Sequence, residues 1–356
     1  MVAVTDSWKE NQLELITSEG FVEILFDGKT EPFNKNDIVS YTHEQTACLL
    51  SGELPSNKIS FSLDNSSGAY NPTNISFAEN QKIMVRYGFK INDSVEMIKA
   101  GTFYLEEWHT PANGLEANFS AKDLVAFMID KDYTGREQGT LYEIAQDAIS
   151  LAELPSGAVV YIDDSLKNYT GNLTEKRKIA EVLQLCAHAA QCVMHTNRDG
   201  ELRIEPMNNL MSDYVIRQGW AYSYPEYETA KQLKSVKVTY ANDTTQELVV
   251  SNSGETQSVA NELISDIYTA YKVAHWVKSV LINRQTVSGE FRADPRLDVL
   301  DKVAIESKYG VNRAVLITYI KYVFTGSFKG TYKGRVSAFD PITDAYYSGE
   351  LFSGEV

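Results

Sequence analysis

Glu290-Phe291-Arg292-Ala293-Asp294-Pro295-Arg296-Leu297-Asp298-Val299-Leu300-Asp301-Lys302-Val303-Ala304-Ile305 decides the reading of this 356-residue chain. Asp294-Pro295 is turn chemistry, because proline presets its own φ and pushes the preceding residue out of the helical region. Past the turn, Val299, Asp301, Val303 and Ile305 alternate and predict a strand. A second β-rich stretch runs from Ala314 to Phe324, punctuated by Gly326 and Gly330 and followed by Gly334-Arg335-Val336. The segment reads as β-structure around a turn and carries no catalytic signature.

Outward from it, the first ~120 residues read the same way. Gly20 to Phe26 is a strand that meets the turn dipeptide Asp27-Gly28. Ile59, Phe61 and Leu63 alternate with Ser60 and Ser62, and Asp64 to Pro72 is a dense turn cluster. Lys82 to Phe89, Gly101 to Leu105 and Leu115 to Ala121 supply further strands. At Lys122-Asp123 the period changes, with Leu124, Phe127 and Met128 at helical spacing. Thr140 with Glu143 fits a capping box ahead of a helix whose face is Leu141, Ile144, Ala145, Ala148, Ile149 and Ala152. Thr174 is read as the cap of a second helix, ending near Ala190, and Val193 to Ile204 as a hairpin turning at Asp199-Gly200. Strand alternation returns at Val236, Val238 and Tyr240. A long helix is expected from near Ser258 to Asn283, its stripe running through Leu263, Ile267, Tyr271, Ala274, Lys278 and Leu281.

The length suits two or three domains, and 43% hydrophobic residues fill a real core. The net charge of −15 argues against binding nucleic acid by neutralising phosphates, yet suits a passage that nucleic acid slides through. Three widely spaced cysteines give no disulfide framework and point to a reduced compartment. Met1 to Asn11 is polar, without the apolar core of a signal peptide, and no apolar run approaches the ~18 residues of a membrane span.

Candidate chemistry is sparse. Cys186, His188, Cys192 and His195 are ligand types within ten residues. A helix ending near Ala190 puts Cys192 and His195 on a strand, facing opposite sides, so the favoured reading is a buried Cys186 beside partly exposed histidines. His43 with Cys48 has nothing else to mark it. Glu106-Glu107 and Asp163-Asp164 are adjacent carboxylates, which on a strand point apart and make no acid/base dyad. Asp294, Asp298 and Asp301 lack the spacing of a calcium loop and read as turn polarity. His275-Trp276 is read as the core edge of the long helix. No catalytic, cofactor or metal residue is assigned.

The order of these segments resembles the hub proteins of phage baseplates and is similar to the N-terminal structural region of tail-tip proteins in phages of Gram-positive bacteria. The resemblance rests on Leu63-Asp64-Asn65 with Asn71-Pro72, Gly101 to Trp108 with Ala121 to Leu124, Asn197 to Pro206, and Asp294 to Leu297. It implies a β-rich α+β fold of two tube-type β-barrels with an intervening α/β domain and a long helix. The corresponding boundaries are 1-122 for the first barrel, 123-230 for the middle domain and 231-356 for the helix and second barrel. It implies a non-enzymatic homotrimer at the virion tail tip, assembled in the host cytoplasm, that adapts a sixfold tube to a threefold tip. Expected partners are a distal tail or tail tube protein above, the tape-measure protein, and tail-tip, spike or fibre proteins, with DNA crossing the channel unbound. Many tail-tip relatives continue into a wall-cutting enzyme, whereas this sequence stops at Val356, which argues against enzymatic activity. A cell-wall hydrolase with two inward carboxylates and a carbohydrate-binding protein with an aromatic platform are the alternatives.

Overall fold

The fold was described from a computed structural model covering residues 2–13, 20–50, 53–71, 73–91, 94–207, 211–281, 284–306 and 312–336. Period-two alternation places every second side chain of the early strands inward. After helix α1 (Asp6–Leu13) come β1 (Gly20–Phe26), β2 (Ile38–Thr46), β3 (Ser56–Asp64), β4 (Lys82–Ile91), β5 (Ser94–His109) and β6 (Glu116–Lys122). These six strands are antiparallel, in the order β1-β4-β5-β6-β3-β2.

The middle of the chain alternates short strands with helices. It holds β7 (Gln138–Thr140), α2 (Leu141–Leu151), β8 (Val160–Ile162), β9 (Thr170–Asn172), α3 (Ile179–Ala189), β10 (Cys192–Thr196) and β11 (Leu202–Pro206). Next are β12 (Met211–Ile216), β13 (Glu226–Thr229), β14 (Leu233–Tyr240), β15 (Thr244–Val249), β16 (Glu255–Ala260) and α4 (Ile267–Leu281). The chain then returns to strands: β17 (Gln285–Arg292), β18 (Lys302–Glu306), β19 (Asn312–Phe324) and β20 (Phe328–Val336).

The expected β-rich α+β class is what the chain adopts, and its two β units are halves of one twelve-stranded sheet. The seam is β2 against β19, antiparallel from Tyr319 opposite Thr46 to Phe324 opposite Tyr41. β19 is long enough to pair β18 through its first residues, β2 through its last, and β20 along its other edge. One core lies under both halves: Val22, Phe61, Tyr87 and Phe103 from the first meet Phe291, Ile320, Tyr322 and Tyr332 from the second. A second core is built by α2, α3 and α4 with β14, so residues 233–281 pack mainly with the middle segment, while Trp276 and Val280 of α4 also pack against a small cluster that includes Leu316 of β19.

Several local expectations are met. The Thr140–Glu143 capping box closes, with Glu143 N–H donating to Thr140 Oγ1 at 3.2 Å and Thr140 N–H to Glu143 Oε2 at 2.9 Å. The β10–β11 hairpin turns over Asn197–Gly200, and Gly200 takes the left-handed φ of 80° that suits glycine.

Others are corrected. α3 starts after Lys178; Thr174 does not cap it, because its N–H and hydroxyl both donate to Glu262 at 2.6 Å. Leu124, Phe127 and Met128 surround one short 3₁₀ turn, Val125–Phe127. The strand expected from Val299 starts at Lys302, since Leu300 has φ 69° and breaks the alternation. Gly330, expected to punctuate the strands, lies inside β20.

The long helix also starts late. Ser258–Ala260 belongs to β16, paired with β14, and Asp266 accepts from the N–H groups of Tyr268 and Thr269 at the helix start. Asn283 and Pro72 fall outside the described residues. The buried face of α4 is Thr269, Ala270, Val273, Ala274, Val277 and Leu281, while Ile267 and Tyr271 are about half exposed at 52% and 47%. The inward face is offset from the expected stripe: the apolar Ala270, Val273 and Val277 join the second core, whereas Ile267 and Tyr271 stay at the surface.

Gly330 shows how tight the closing half is: a Cβ there would sit 2.4 Å from the Phe291 ring. Gly330→Val is expected to destabilise the protein by about 2 kcal/mol or more, read as a lowered urea midpoint with an unchanged m-value.

Candidate functional site

Two segments far apart in the chain, the β10–β11 turn and the 294–301 turn, meet at the seam. The hairpin turn is seated on β5, where a Cβ on Gly200 would lie 2.6 Å from Thr102 Cβ and Lys99 pairs with Asp199 at 2.7 Å. Between these residues Arg198 is driven inward. Its Nε donates to Asp298 Oδ2 at 2.6 Å, Nη1 to Lys99 O at 3.0 Å and Nη2 to Pro295 O at 2.7 Å. Burial works against this charge, but the Asp298 carboxylate outweighs it and holds the proton more tightly than usual. A planar guanidinium supplies this fork of donors, which an ammonium does not.

The receiving turn is itself braced. Asp294 accepts from the Arg296 backbone N–H at 3.0 Å and from its Nε at 2.7 Å, and both side chains are buried. The Tyr322 hydroxyl, reaching in from β19, donates towards Leu297 O at 2.6 Å and Asp294 O at 3.1 Å. Gln45 of β2 donates to the second oxygen of Asp298 at 3.2 Å. Arg198 therefore ties the middle segment to a turn that both strands of the seam hold in place.

Beside this joint lies a cleft of about 600 Å³ lined by Val4, Lys9, His195, Arg198, Asp298 and Lys302, among others. Val2 N–H donates to Arg296 O, so the N-terminal segment runs along it. Glu205, also in the wall, is pulled down to about 2 by its hydrogen bond from His195, against burial and with help from Arg203. Asp301 is raised by burial and then by the neighbouring Asp298 charge. Charges of both signs and shared hydrogen bonds make this a joint between elements, chemically suited to holding chain segments in register.

Behind the joint, β2 carries the buried His43. Its Nε2 donates to Asn57 Oδ1 at 2.7 Å, and its Nδ1 accepts from the Tyr87 hydroxyl at 2.6 Å, which Tyr41 approaches at 2.9 Å. These partners assign the neutral ring with its proton on Nε2. Burial brings its pKa down to about 4, opposed by the Asn57 bond and by Asp298.

The residues singled out in the sequence scatter. Cys186 and Cys192 are buried on α3 and β10, and His195 is bonded to Glu205. His188, expected to be partly exposed, is buried against Trp276, and burial lowers its pKa to about 4. Among the described residues no three His, Cys, Asp or Glu side chains are grouped as a metal site. Cys48 donates to Leu50 O, apart from the His43 network. Glu106 pairs with Lys122 at 3.3 Å, and Glu107 is exposed beyond a bulge in β5. Asp163 is off the strand, accepting from Ser165 N–H at 2.9 Å, and Asp164 pairs with Lys167. Asp294 and Asp298 do serve turn polarity, but each also binds an arginine. His275, expected at the core edge, is exposed and meets the Tyr271 ring edge-on at 4.4 Å between centroids. Sequence reading missed Arg198 and Arg296; an arginine inside an Asn-Arg-Asp-Gly turn is the only local signal, and it does not tell where the side chain goes.

No family model and no curated protein matches the sequence. Solved structures do match the fold. The 43 kDa tail protein of prophage MuSo2 from Shewanella oneidensis is 12% identical with a TM-score of 0.60, covering 89% of this chain and 98% of that one. A tail protein from Neisseria meningitidis MC58 is 10% identical with a TM-score of 0.62, covering 89% and 96%. Prophage tail protein gp18 from Listeria monocytogenes EGD-e is 14% identical with a TM-score of 0.52, covering 90% and 95%.

Arg198→Met leaves Asp298 without its counter-charge in a poorly hydrated site. It is expected to cost about 3–5 kcal/mol, with Arg198→Lys recovering less than half, both measured by urea denaturation. His43 gives a pH signature. Above pH 6.5 the ring is neutral folded and unfolded, and its contribution is fully present. As pH falls from 6.5 towards 4 only the unfolded chain takes the proton, so stability drops by about 1.4 kcal/mol per pH unit. His188 adds a like slope, and buried Asp123, raised to about 7 by burial, opposes it. His43→Gln should therefore flatten the stability–pH profile between pH 6.5 and 4 by about that slope.

Proposed function

We propose that this chain is a structural component of a phage-type tail, the hub that closes the distal tail tube. The observation that carries the reading is the extent of the shared fold: the match runs over 89–90% of this chain and 95–98% of three tail proteins, with both β halves and the α/β insertion in place. In this reading three copies form a ring in which six β halves present a sixfold surface to the tube and a threefold one to the tip. Tube or distal tail protein would sit above, with tape-measure, spike or fibre proteins below and within. The net charge of −15 supports a conduit that repels the DNA backbone instead of retaining it. The role is one of assembly and passage, without a reaction of its own, and the protein would reside at the virion tail tip after assembly in the host cytoplasm.

Edge strands support association. β13 ends the main path of the large sheet at one side, while β1 at the other is bridged by Phe33 at Ile24; an uncovered edge such as that of β13 presents backbone donors and acceptors to another chain. Light scattering over a range of concentrations is expected to show a particle approaching three times the 39.9 kDa chain mass. A strict monomer at the highest concentration, alone and with a tail tube protein present, would count against the ring.

A further inference from the structure

The outer face of the first β half carries a feature that the hub reading does not use. Across β2, β3, β6 and β5 the register aligns Thr42, Ser60, Ser120 and Glu107 in one row. It aligns Ser40, Ser62, Asn118 and His109 in the next. Neighbouring strands are ~4.8 Å apart and alternate residues ~7 Å apart, so the rows form a two-by-four grid of hydrogen-bonding groups. The grid lines a concavity of about 300 Å³, within the size range of small-ligand sites.

The two rows differ. The second is internally bonded: Ser40 Oγ donates to Ser62 Oγ at 3.3 Å, Ser62 Oγ to Asn118 Oδ1 at 2.6 Å, and Asn118 Nδ2 lies 3.5 Å from His109 Nε2. The first row has no side-chain hydrogen bond or ion pair among the described residues. Ser120 Oγ is shut off from solvent and also lacks a partner among them, although a buried hydroxyl without a hydrogen bond is costly. A bulge between Leu105 and Glu107 turns the Glu107 carboxylate into the row, a use of bulges that recurs beside binding sites.

We infer that this grid is a binding site for a neutral polyhydroxylated ligand, a saccharide unit held edge-on to the sheet. Hydroxyls, an amide, an imidazole and one carboxylate match the mixed donors and acceptors of vicinal alcohols. Glu107 is the strong acceptor, and the accessible hydroxyls of Thr42 and Ser60 are the ones the first row leaves open to a ligand. The grid holds no lysine or arginine, which disfavours phosphate and nucleic acid. The flanking cations are engaged elsewhere: Lys58 and Lys321 with Glu44, and Lys122 with Glu106. This site stands on the sheet register and does not depend on the oligomeric reading.

The test is saturation-transfer NMR of the full chain with glucose, galactose, rhamnose and N-acetylglucosamine, with inorganic phosphate added as an anionic competitor. Saturation transfer to at least one sugar is expected, with millimolar affinity. Glu107→Gln and the near-isosteric Thr42→Val should each weaken it about tenfold, the loss of one hydrogen bond to a charged or shielded group. Both positions are on the surface, and unchanged melting temperatures would show that the variants fold. Silence with all four sugars, equal binding by both folded variants, or loss of the sugar signal when millimolar phosphate is added would each overturn the assignment.

Discussion

The pairing of Arg198 with Asp298 is the contact on which the architecture turns. A guanidinium carried into the interior by a hairpin turn is tolerable only if every donor finds an acceptor and its charge finds a counter-charge. The structure meets that demand with one carboxylate and backbone carbonyls from two other segments, Lys99 on β5 and Pro295 in the distal turn. The same requirement fixes the position of the middle domain: moving the hairpin would strand a charge. Three parts of the chain, about a hundred residues apart at each step, are registered by one side chain.

That contact rests on the seam. β2 and β19 merge the two β halves into a single sheet, and the polar residues buried behind them are shared between the halves. His43 is bonded to the first half and packs near Tyr322 of the second, while Tyr322 in turn holds the turn that receives Arg198. Buried polar networks of this kind are costly when incomplete and directional when complete. They specify one arrangement of large apolar surfaces that could otherwise pack in several ways.

The face turned away from the core follows a different logic. Its outward positions are short hydroxylated residues flanked by the Lys321–Glu44–Lys58 ladder, so it is polar and shallowly concave, with Glu107 brought to its edge by the bulge in β5. The same strands thus serve cohesion on one side and recognition on the other, a division that alternation makes available wherever a sheet has one solvated face.

Much of the fold was legible in the sequence because it is local. Alternation at Ile59, Phe61 and Leu63 marked a strand, Thr140 with Glu143 marked a helix start, and Asp199-Gly200 marked a hairpin; each depends on neighbours within a few residues. Where locality failed, the reading failed with it. The stripe expected on α4 ran through Ile267, Tyr271 and Lys278, yet packing into the second core selected the neighbouring face of Ala270, Val273 and Val277. His188 looked half exposed until Trp276, almost ninety residues on, covered it. The candidate site was hardly legible, since Arg198, Asp298 and His43 are brought together only by strand pairing between residues some 280 apart. The sequence by itself determined the β-rich α+β class, most element positions and the net charge, because these are set by short-range periodicity and composition. The seam, the joint at Arg198 and the hydroxyl grid were decided by tertiary structure alone. Register between distant strands chooses which side chains become neighbours, and no local pattern encodes that choice.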